Sequence, residues 1–203
     1  MWAFFYLLLQ ENSFQSDTIL RNYLSFSHSA ISSLLTYLSL SMSQPIWIQQ
    51  LIIAVSGSYF VWDTFYICLK QQWKKECLYL YHHAVCLLLL WNLWIGINPY
   101  WLTYTVMIGE ISNLWNYIVY HMIKMKSSLQ LILPMKIIQV GWFSYFRMVC
   151  LSSALLTNFH ELQGVLLPYN LLVIYGMGLL WGYKQIRSTI QDIYSYIRTP
   201  QKI

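Results

Sequence analysis

Six long apolar stretches, separated by short polar links, dominate the sequence and restrict what the chain can fold into. A helix needs about 20 mostly apolar residues to cross a bilayer. Stretches of this kind lie at residues 22–42, 46–69, 78–97, 101–121, 131–157 and 166–183. Charged residues make up 9% of the chain, against roughly 25% of a soluble domain. The sequence therefore predicts an all-α membrane protein with six transmembrane helices, and it excludes soluble, disordered and fibrous proteins.

The distribution of Lys and Arg predicts the orientation of these helices. Ten of the 12 basic residues lie before the first segment or after the second, fourth and sixth, and the other links contain none. Because cytoplasmic loops are enriched in Lys and Arg, we expect both termini in the cytosol. Membrane topology thus accounts for the net charge of +5, and no nucleic-acid partner is predicted.

The chain is expected to divide into an N-terminal segment at 1–20, a six-helix membrane domain at 21–187 and a cytosolic tail at 188–203. The apolar run at 2–9 is too short to span a bilayer. It also lacks the basic flank and cleavage site of a signal peptide. We interpret it as an interfacial or partial helix.

Ionisable residues inside the apolar segments are the candidate functional residues, because a charge within the bilayer is costly unless it faces a cavity or a partner. Lys136 lies near the start of its segment and is expected to extend to the cytosolic interface. The candidates are His28, Asp63, His82, His83, Glu110 and Arg147. At 1.5 Å per residue, the first four lie roughly 6–9 Å from the cytosolic helix ends and the last two roughly 16–18 Å. These depths predict a shallow and a deep polar layer.

The shallow layer has the composition of an acid–base site. A carboxylate beside an imidazole fixes its tautomer, so Asp63 with His82 or His83 would form a pair able to take a proton from a hydroxyl or an amine. We interpret these three residues as catalytic candidates and His28 as a substrate-binding candidate. The alternative is that the polar groups only hydrogen-bond the helices together.

Metal binding is a separate option, because His82 and His83 each share a helix face with Cys86. No second carboxylate or histidine cluster completes a ligand shell in the sequence. We therefore predict no metal.

The deep layer allows two interpretations. Glu110 and Arg147 can neutralise each other as a buried ion pair between the fourth and fifth segments. Alternatively, Arg147 can hold a carbonyl or phosphate group of a substrate. In the sixth segment, Gly178 and Gly182 have the GxxxG spacing that lets another helix approach closely, and this face is a candidate surface for homo- or hetero-oligomers.

At these residues the sequence resembles the TLC-domain family of multipass membrane proteins, which includes ceramide synthases and several lipid-homeostasis proteins. The similar motifs, in chain order, are Ser27-His28-Ser29-Ala30-Ile31, Ser58-Tyr59-Phe60-Val61-Trp62-Asp63, Tyr81-His82-His83-Ala84, Gly109-Glu110-Ile111-Ser112-Asn113 and Phe143-Ser144-Tyr145-Phe146-Arg147. The resemblance covers about residues 21–187. It implies a six-helix bundle around a central cavity with a polar site open to the cytosol, a location in the endoplasmic reticulum, and substrate-binding roles for Glu110, Ser112 and Arg147.

The chain departs from the ceramide synthases, in which a His-Asp pair follows the His-His motif. The corresponding segment here reads Ile108-Gly109-Glu110-Ile111-Ser112-Asn113, which points away from ceramide synthesis. The chain is more similar to the smaller family members linked to membrane phospholipid composition, and this implies a role in lipid homeostasis. The first hypothesis is a protein that binds a membrane lipid and modifies it by acyl or headgroup transfer. Acyl-CoA is a candidate co-substrate, and no cofactor is expected.

Two other functions remain open at this point. A non-catalytic lipid sensor, cargo receptor or membrane organiser could use the same polar layer as a binding site. A channel or transporter also fits six helices, but the sequence has no ring of charged residues that would support one.

Overall fold

The structure, a computed structural model, describes residues 1–12, 16–70, 72–158 and 167–198. Within these ranges the protein is all-helical, as the sequence predicts. The helices are α1 (Trp2–Asn12), α2 (Asp17–Ser41), α3 (Ile46–Leu69), α4 (Cys77–Trp94), α5 (Pro99–Lys124), α6 (Leu129–Ser144), a π-helical segment (Tyr145–Cys150), α7 (Leu151–Asn158) and α8 (Leu167–Arg198).

Short links connect the helices, and proline marks two of the helix starts. Pro45 precedes α3 in an extended conformation, and Pro99 is the first residue of α5. A proline at these positions costs no helical hydrogen bond, because the first N–H groups of a helix have no partner within it. Links of this length place successive helices side by side and antiparallel.

Helix α2 lies at the centre of the bundle. It packs along α5 and contacts α3, while α4 packs against α3 and α5, and α6 joins α5 to α8. Buried apolar side chains from α1 to α5, α7 and α8 form one continuous core. The polar residues of α2 therefore lie inside the bundle.

The burial pattern of α2 is the reverse of that in a helix of a soluble protein. Ser29, Ser32 and Thr36 are fully buried, whereas Leu34 and Tyr37 are 58% and 61% exposed. A soluble helix buries its apolar stripe and exposes its polar face. Small polar residues at helix contacts and large apolar residues outside are typical of helices packed in a bilayer.

Two helices of the described chain, α3 and α4, are long and apolar enough to cross a membrane, with mean hydropathies of 1.4 and 1.3 over 18 residues. The hydropathy of α2 is reduced by the buried hydroxyl groups on its inner face. Length and composition thus support two of the six predicted membrane spans, those of α3 and α4.

The last two predicted segments differ from the helices that the structure contains. The segment at 131–157 consists of α6, the π-helical segment and α7, and Arg147 lies in the π-helical part. Helix α8 continues to Arg198, beyond the predicted end at residue 183. The described part of the predicted tail is therefore a continuation of α8.

The N-terminal apolar run forms a helix that packs on the bundle. Trp2 is 3% exposed, and its indole N–H donates a hydrogen bond to the Val55 carbonyl at 3.0 Å. Its ring lies edge-on to His28 and Tyr59. Helix α1 therefore covers one side of a candidate site residue.

Candidate functional site

A cavity of about 630 Å³ lies at one end of the bundle. Its lining comes from the first turns of α2 and α4, the link between α3 and α4, the middle of α6, and the second halves of α3, α5 and α8. Antiparallel packing brings these parts of the helices together. Five sequence-predicted site residues line the cavity: His28, Asp63, His82, His83 and Glu110. This is the end of the bundle at which the basic residues were expected.

Arg21 bridges two carboxylates at the wall of the cavity. Its Nε and Nη2 donate hydrogen bonds to the two Asp63 oxygens at 2.6 and 2.9 Å, and its Nη1 donates to both Glu76 oxygens at 2.9 and 3.1 Å. The cluster thus joins α2, α3 and the link before α4. Sequence reasoning treated Arg21 only as a topology marker. Its position one turn inside α2, at the depth of Asp63, is the signal that was missed.

His83 is the histidine that lies beside Asp63. Its Nε2 is 3.5 Å from Asp63 Oδ2, and its Nδ1 is 3.2 Å from the Thr64 hydroxyl. Of the two base–carboxylate pairs considered from the sequence, the structure contains the one with His83. Both ring nitrogens of His83 face protein groups, so a substrate would have to compete with Thr64.

His82 points to a different neighbourhood, as expected for adjacent residues on a helix, which are about 100° apart. Its ring contacts Trp181 edge-on at 5.5 Å and lies 3.6 Å from Cys86 Sγ. Within the residues that the structure describes, no group of three or more His, Cys, Asp or Glu side chains is arranged to hold a metal ion.

His28 and Glu110 form a second imidazole–carboxylate pair. His28 Nδ1 is 3.6 Å from Glu110 Oε2, and Ser29 donates a hydrogen bond to the same oxygen at 2.5 Å. The imidazole stacks on Tyr59 with a centroid distance of 4.0 Å. Its other nitrogen, Nε2, is buried and has no hydrogen-bond partner among the described residues.

This contact corrects the division into two layers. His28 was expected in the shallow layer and Glu110 in the deep one, but the two side chains meet in one cavity. Depth along each helix was counted from helix ends, and α2 begins five residues earlier than the predicted segment. His28 therefore lies deeper than the sequence estimate.

The expected Glu110–Arg147 ion pair is also replaced by other contacts. Arg147 is 2% exposed, and it donates hydrogen bonds to the Ser112 hydroxyl at 2.8 Å and to the Gly109 carbonyl at 3.1 Å. Neither Arg147 nor Ser112 is among the described residues that line the cavity. Their contacts join α5 to the π-helical segment, so the geometry gives them a structural role beneath the site.

The Gly178–Gly182 face is occupied inside the chain. Gly178 packs against the Arg147 side chain, and a Cβ at Gly182 would lie 2.8 Å from Met148 Cε and 3.5 Å from the Phe143 ring. The close helix approach that this spacing predicts therefore occurs between α8 and the helix containing the π-helical segment.

The ion pair between Lys70 and Asp17 lies outside the apolar segments. Lys70 Nζ donates a hydrogen bond to Asp17 Oδ2 at 2.5 Å. This hydrogen bond lowers the pKa of the Asp17 carboxyl below its ordinary value and raises the pKa of the Lys70 ammonium. With both groups ionised, the pair connects the beginning of α2 to the end of α3.

Comparisons with known proteins give no assignment. No protein-family model matches the chain, and no curated protein and no solved structure is significantly similar to it.

Proposed function

We propose that this chain is a multipass membrane protein that binds a membrane lipid in the polar cavity. In this proposal the helices cross the bilayer six times, the ends of α3, α5 and α8 that are followed by basic residues face the cytosol, and the cavity opens at that end. Trp2 contacts Val55 in the middle of α3, so the beginning of α1 lies within the bundle and not in the cytosol as expected from the sequence. The single observation that carries it is the meeting of His28, Asp63, His82, His83 and Glu110 in one cavity inside a bundle with an apolar exterior.

The exterior of the bundle supports the membrane part of the proposal. Side chains such as Trp47, Phe65, Trp91 and Leu131 are 57–65% exposed. A soluble monomer rarely exposes contiguous apolar surface beyond a few hundred Å². In hydrocarbon these side chains are stable, whereas Ser25, Ser29 and Ser32 of α2 form hydrogen bonds inside the bundle.

The two imidazole–carboxylate pairs support acid–base chemistry on the bound lipid. A carboxylate that faces one ring nitrogen leaves the other as the proton acceptor. In the His28–Glu110 pair this second nitrogen has no partner among the described residues, and in the His83–Asp63 pair it faces the exchangeable Thr64 hydroxyl.

An acyl transfer would use these groups as follows. The imidazole takes the proton of a lipid hydroxyl or amine, that oxygen or nitrogen forms a bond to the carbonyl carbon of a thioester such as acyl-CoA, the C–S bond breaks, and the imidazolium returns the proton to the thiolate. The resemblance to the TLC-domain family supports a lipid substrate and a location in the endoplasmic reticulum. The same resemblance supports lipid homeostasis as the biological role.

One observation favours a second candidate, a non-catalytic lipid-binding protein. Arg21 donates to both oxygens of Asp63, and this holds Asp63 in a charge cluster rather than leaving it to orient a base. In that case the cavity binds a lipid as a sensor or cargo site and the histidines contribute only hydrogen bonds.

The experiment compares His28→Ala and His83→Ala with His121→Ala in cells that express equal amounts of each protein. His121 is the matched control, because it contacts Tyr23 on α2 and is not among the described residues lining the cavity. Lipid profiles are measured by mass spectrometry, and lipids that co-purify with each protein are quantified.

The enzymatic proposal predicts that at least one cavity variant changes the lipid profile while His121→Ala matches the wild type. Unchanged profiles with retained co-purifying lipid would favour the non-catalytic candidate. If the wild-type protein retains no specific lipid and alters no profile, the lipid-binding proposal is wrong.

A further inference from the structure

Four amide side chains from three helices form a part of the cavity wall that the acid–base chemistry does not use. We name it the amide wall, and its members are Asn113, Asn116, Gln139 and Gln185. Asn113 and Asn116 lie on α5, Gln139 on α6 and Gln185 on α8. An amide side chain is costly to bury without a hydrogen-bond partner. Four of them at one cavity therefore indicate that this part of the wall binds a polar group.

The hydrogen bonds of the amide wall have a defined direction. Asn116 Oδ1 accepts from Gln139 Nε2 at 2.9 Å and from Gln185 Nε2 at 3.1 Å, and Asn116 Nδ2 faces Asn113 Oδ1 at 3.4 Å. In this arrangement both glutamine NH₂ groups are turned toward the Asn116 oxygen, and the four amide orientations are mutually consistent. The oxygen of Gln185 must then point away from Asn116.

That oxygen is the unfilled position of the network. Gln185 Oε1 is buried and accepts no hydrogen bond from any residue that the structure describes. A buried carbonyl oxygen without a donor is rare and unfavourable. A ligand in the cavity that supplies an O–H or N–H group would satisfy it.

The surrounding charges select among such ligands. A phosphate offers only acceptor oxygens, which the Gln185 oxygen repels. Three basic residues line the cavity: Arg21, Lys136 and Lys184. Lys136 is bonded to Asp192 at 2.5 Å and to Ser188 at 2.8 Å, and Arg21 is paired with Asp63 and Glu76, whereas Lys184 is exposed and its charge is solvated. An ammonium group is better served by the carboxylates of the acid–base groups than by neutral amides. A hydroxyl group both donates and accepts, which matches an amide.

We infer that the amide wall binds the hydroxyl groups of an uncharged lipid headgroup. This inference rests on the proposed function and specifies its ligand: a hydroxyl donates to Gln185 Oε1 while the rest of the lipid lies in the same cavity. The amide wall thereby distinguishes a hydroxyl-bearing headgroup from an alkyl headgroup of the same size.

The test uses the purified full chain and two uncharged probes with the same alkyl chain. One is 1-O-octadecylglycerol, and the other is octadecyl propyl ether, which has the same three-carbon end and no hydroxyl group. Binding of each is measured by native mass spectrometry from detergent micelles. We expect the glycerol ether to bind about tenfold more tightly, as one or two net hydrogen bonds require.

The variant Gln185→Met keeps the length of the side chain and removes the acceptor, and it is expected to reduce the preference to about twofold or less. Gln191→Met is the matched control, since Gln191 lies on the same helix and is exposed; it should keep the wild-type preference. If Gln185→Met does not fold, the wild-type comparison of the two probes still decides the question.

The outcomes separate this inference from the function on which it rests. Equal binding of both probes by the wild type overturns the role of the amide wall and leaves lipid binding intact. Binding of neither probe overturns both. Displacement of the glycerol ether by an equal concentration of free glycerol would overturn the lipid source of the hydroxyl group.

Discussion

Replacing Arg21 with Met is expected to destabilise the protein strongly, because the substitution leaves Asp63 and Glu76 near each other without their shared cation. Removing one partner of a buried ion pair costs about 3–5 kcal/mol. The Arg21 and Glu76 side chains are 18% and 23% exposed and Asp63 is 3% exposed, so we take the lower end, about 3 kcal/mol. For a chain of this length, 1 kcal/mol corresponds to about 2–4 °C in Tm. The expected decrease is therefore about 6–12 °C.

The assay is thermal unfolding of the purified protein in one detergent, followed by circular dichroism. Lys70→Met is the matched control, because it breaks an ion pair at the same end of the bundle whose side chains are 45% and 38% exposed. Exposed ion pairs contribute little, so this variant should unfold close to the wild-type temperature. The double variant Arg21→Met/Asp63→Asn should recover part of the loss, because it removes one of the two unpaired charges.

A Tm of Arg21→Met within about 2 °C of the wild type would refute the reasoning, since it would mean a cost below about 1 kcal/mol. The same conclusion would follow if Lys70→Met lowered the Tm as much as Arg21→Met. Either result would show that the Arg21 cluster is solvated and does not hold α2, α3 and α4 together.

Two further predictions concern packing and pH. Gly182→Val should lower the Tm by several degrees, because a Cβ there would already lie 3.5 Å from the Phe143 ring and the two further methyl groups would overpack this contact, which costs about 1–3 kcal/mol. Gly176→Val, with open space around its Cβ, should not lower the Tm, and equal shifts would contradict the packing of α8. The lowered pKa of Asp17 means that its contribution to stability is present above the ordinary pKa of 3.8 and is lost as the pH falls through the lower folded-state value. Wild type and Asp17→Asn should therefore differ only slightly in Tm at pH 6, as expected for an exposed pair, and this small difference should disappear at the acid end of a pH series; a difference that grows on acidification would contradict the Lys70 pairing.

The helical fold is predictable from the sequence because long apolar stretches and short links leave few alternatives. The places where the helices depart from the predicted segments are not predictable in this way. In the π-helical segment, Arg147 donates hydrogen bonds to Ser112 and Gly109 on α5, and periodicity does not contain such a contact between distant segments. Helix α8 continues beyond its apolar part because Lys136 pairs with Asp192, which anchors the polar extension to α6.

The sequence predicts which ionisable residues line the cavity, because ionisable residues in apolar segments need a polar environment. The pairs that these side chains form inside the cavity were not predictable, because the depth of a residue along a helix does not determine the direction in which its side chain points around the helix axis. Asp63 meets His83 and not His82, and Glu110 meets His28 and not Arg147. Arg21 was missed because a basic residue near a helix end is normally a topology marker.

The central claim is that a bundle spanning the membrane holds a lipid in its polar cavity, and the most direct measurement is an electron cryo-microscopy map of the chain in a lipid nanodisc. The account predicts that the lipid belt surrounds α2 to α6 and α8 and that headgroup density fills the space between His28, Asp63, His83 and Glu110. A belt that contacts only α3 and α4, or a cavity that contains only water, would contradict it.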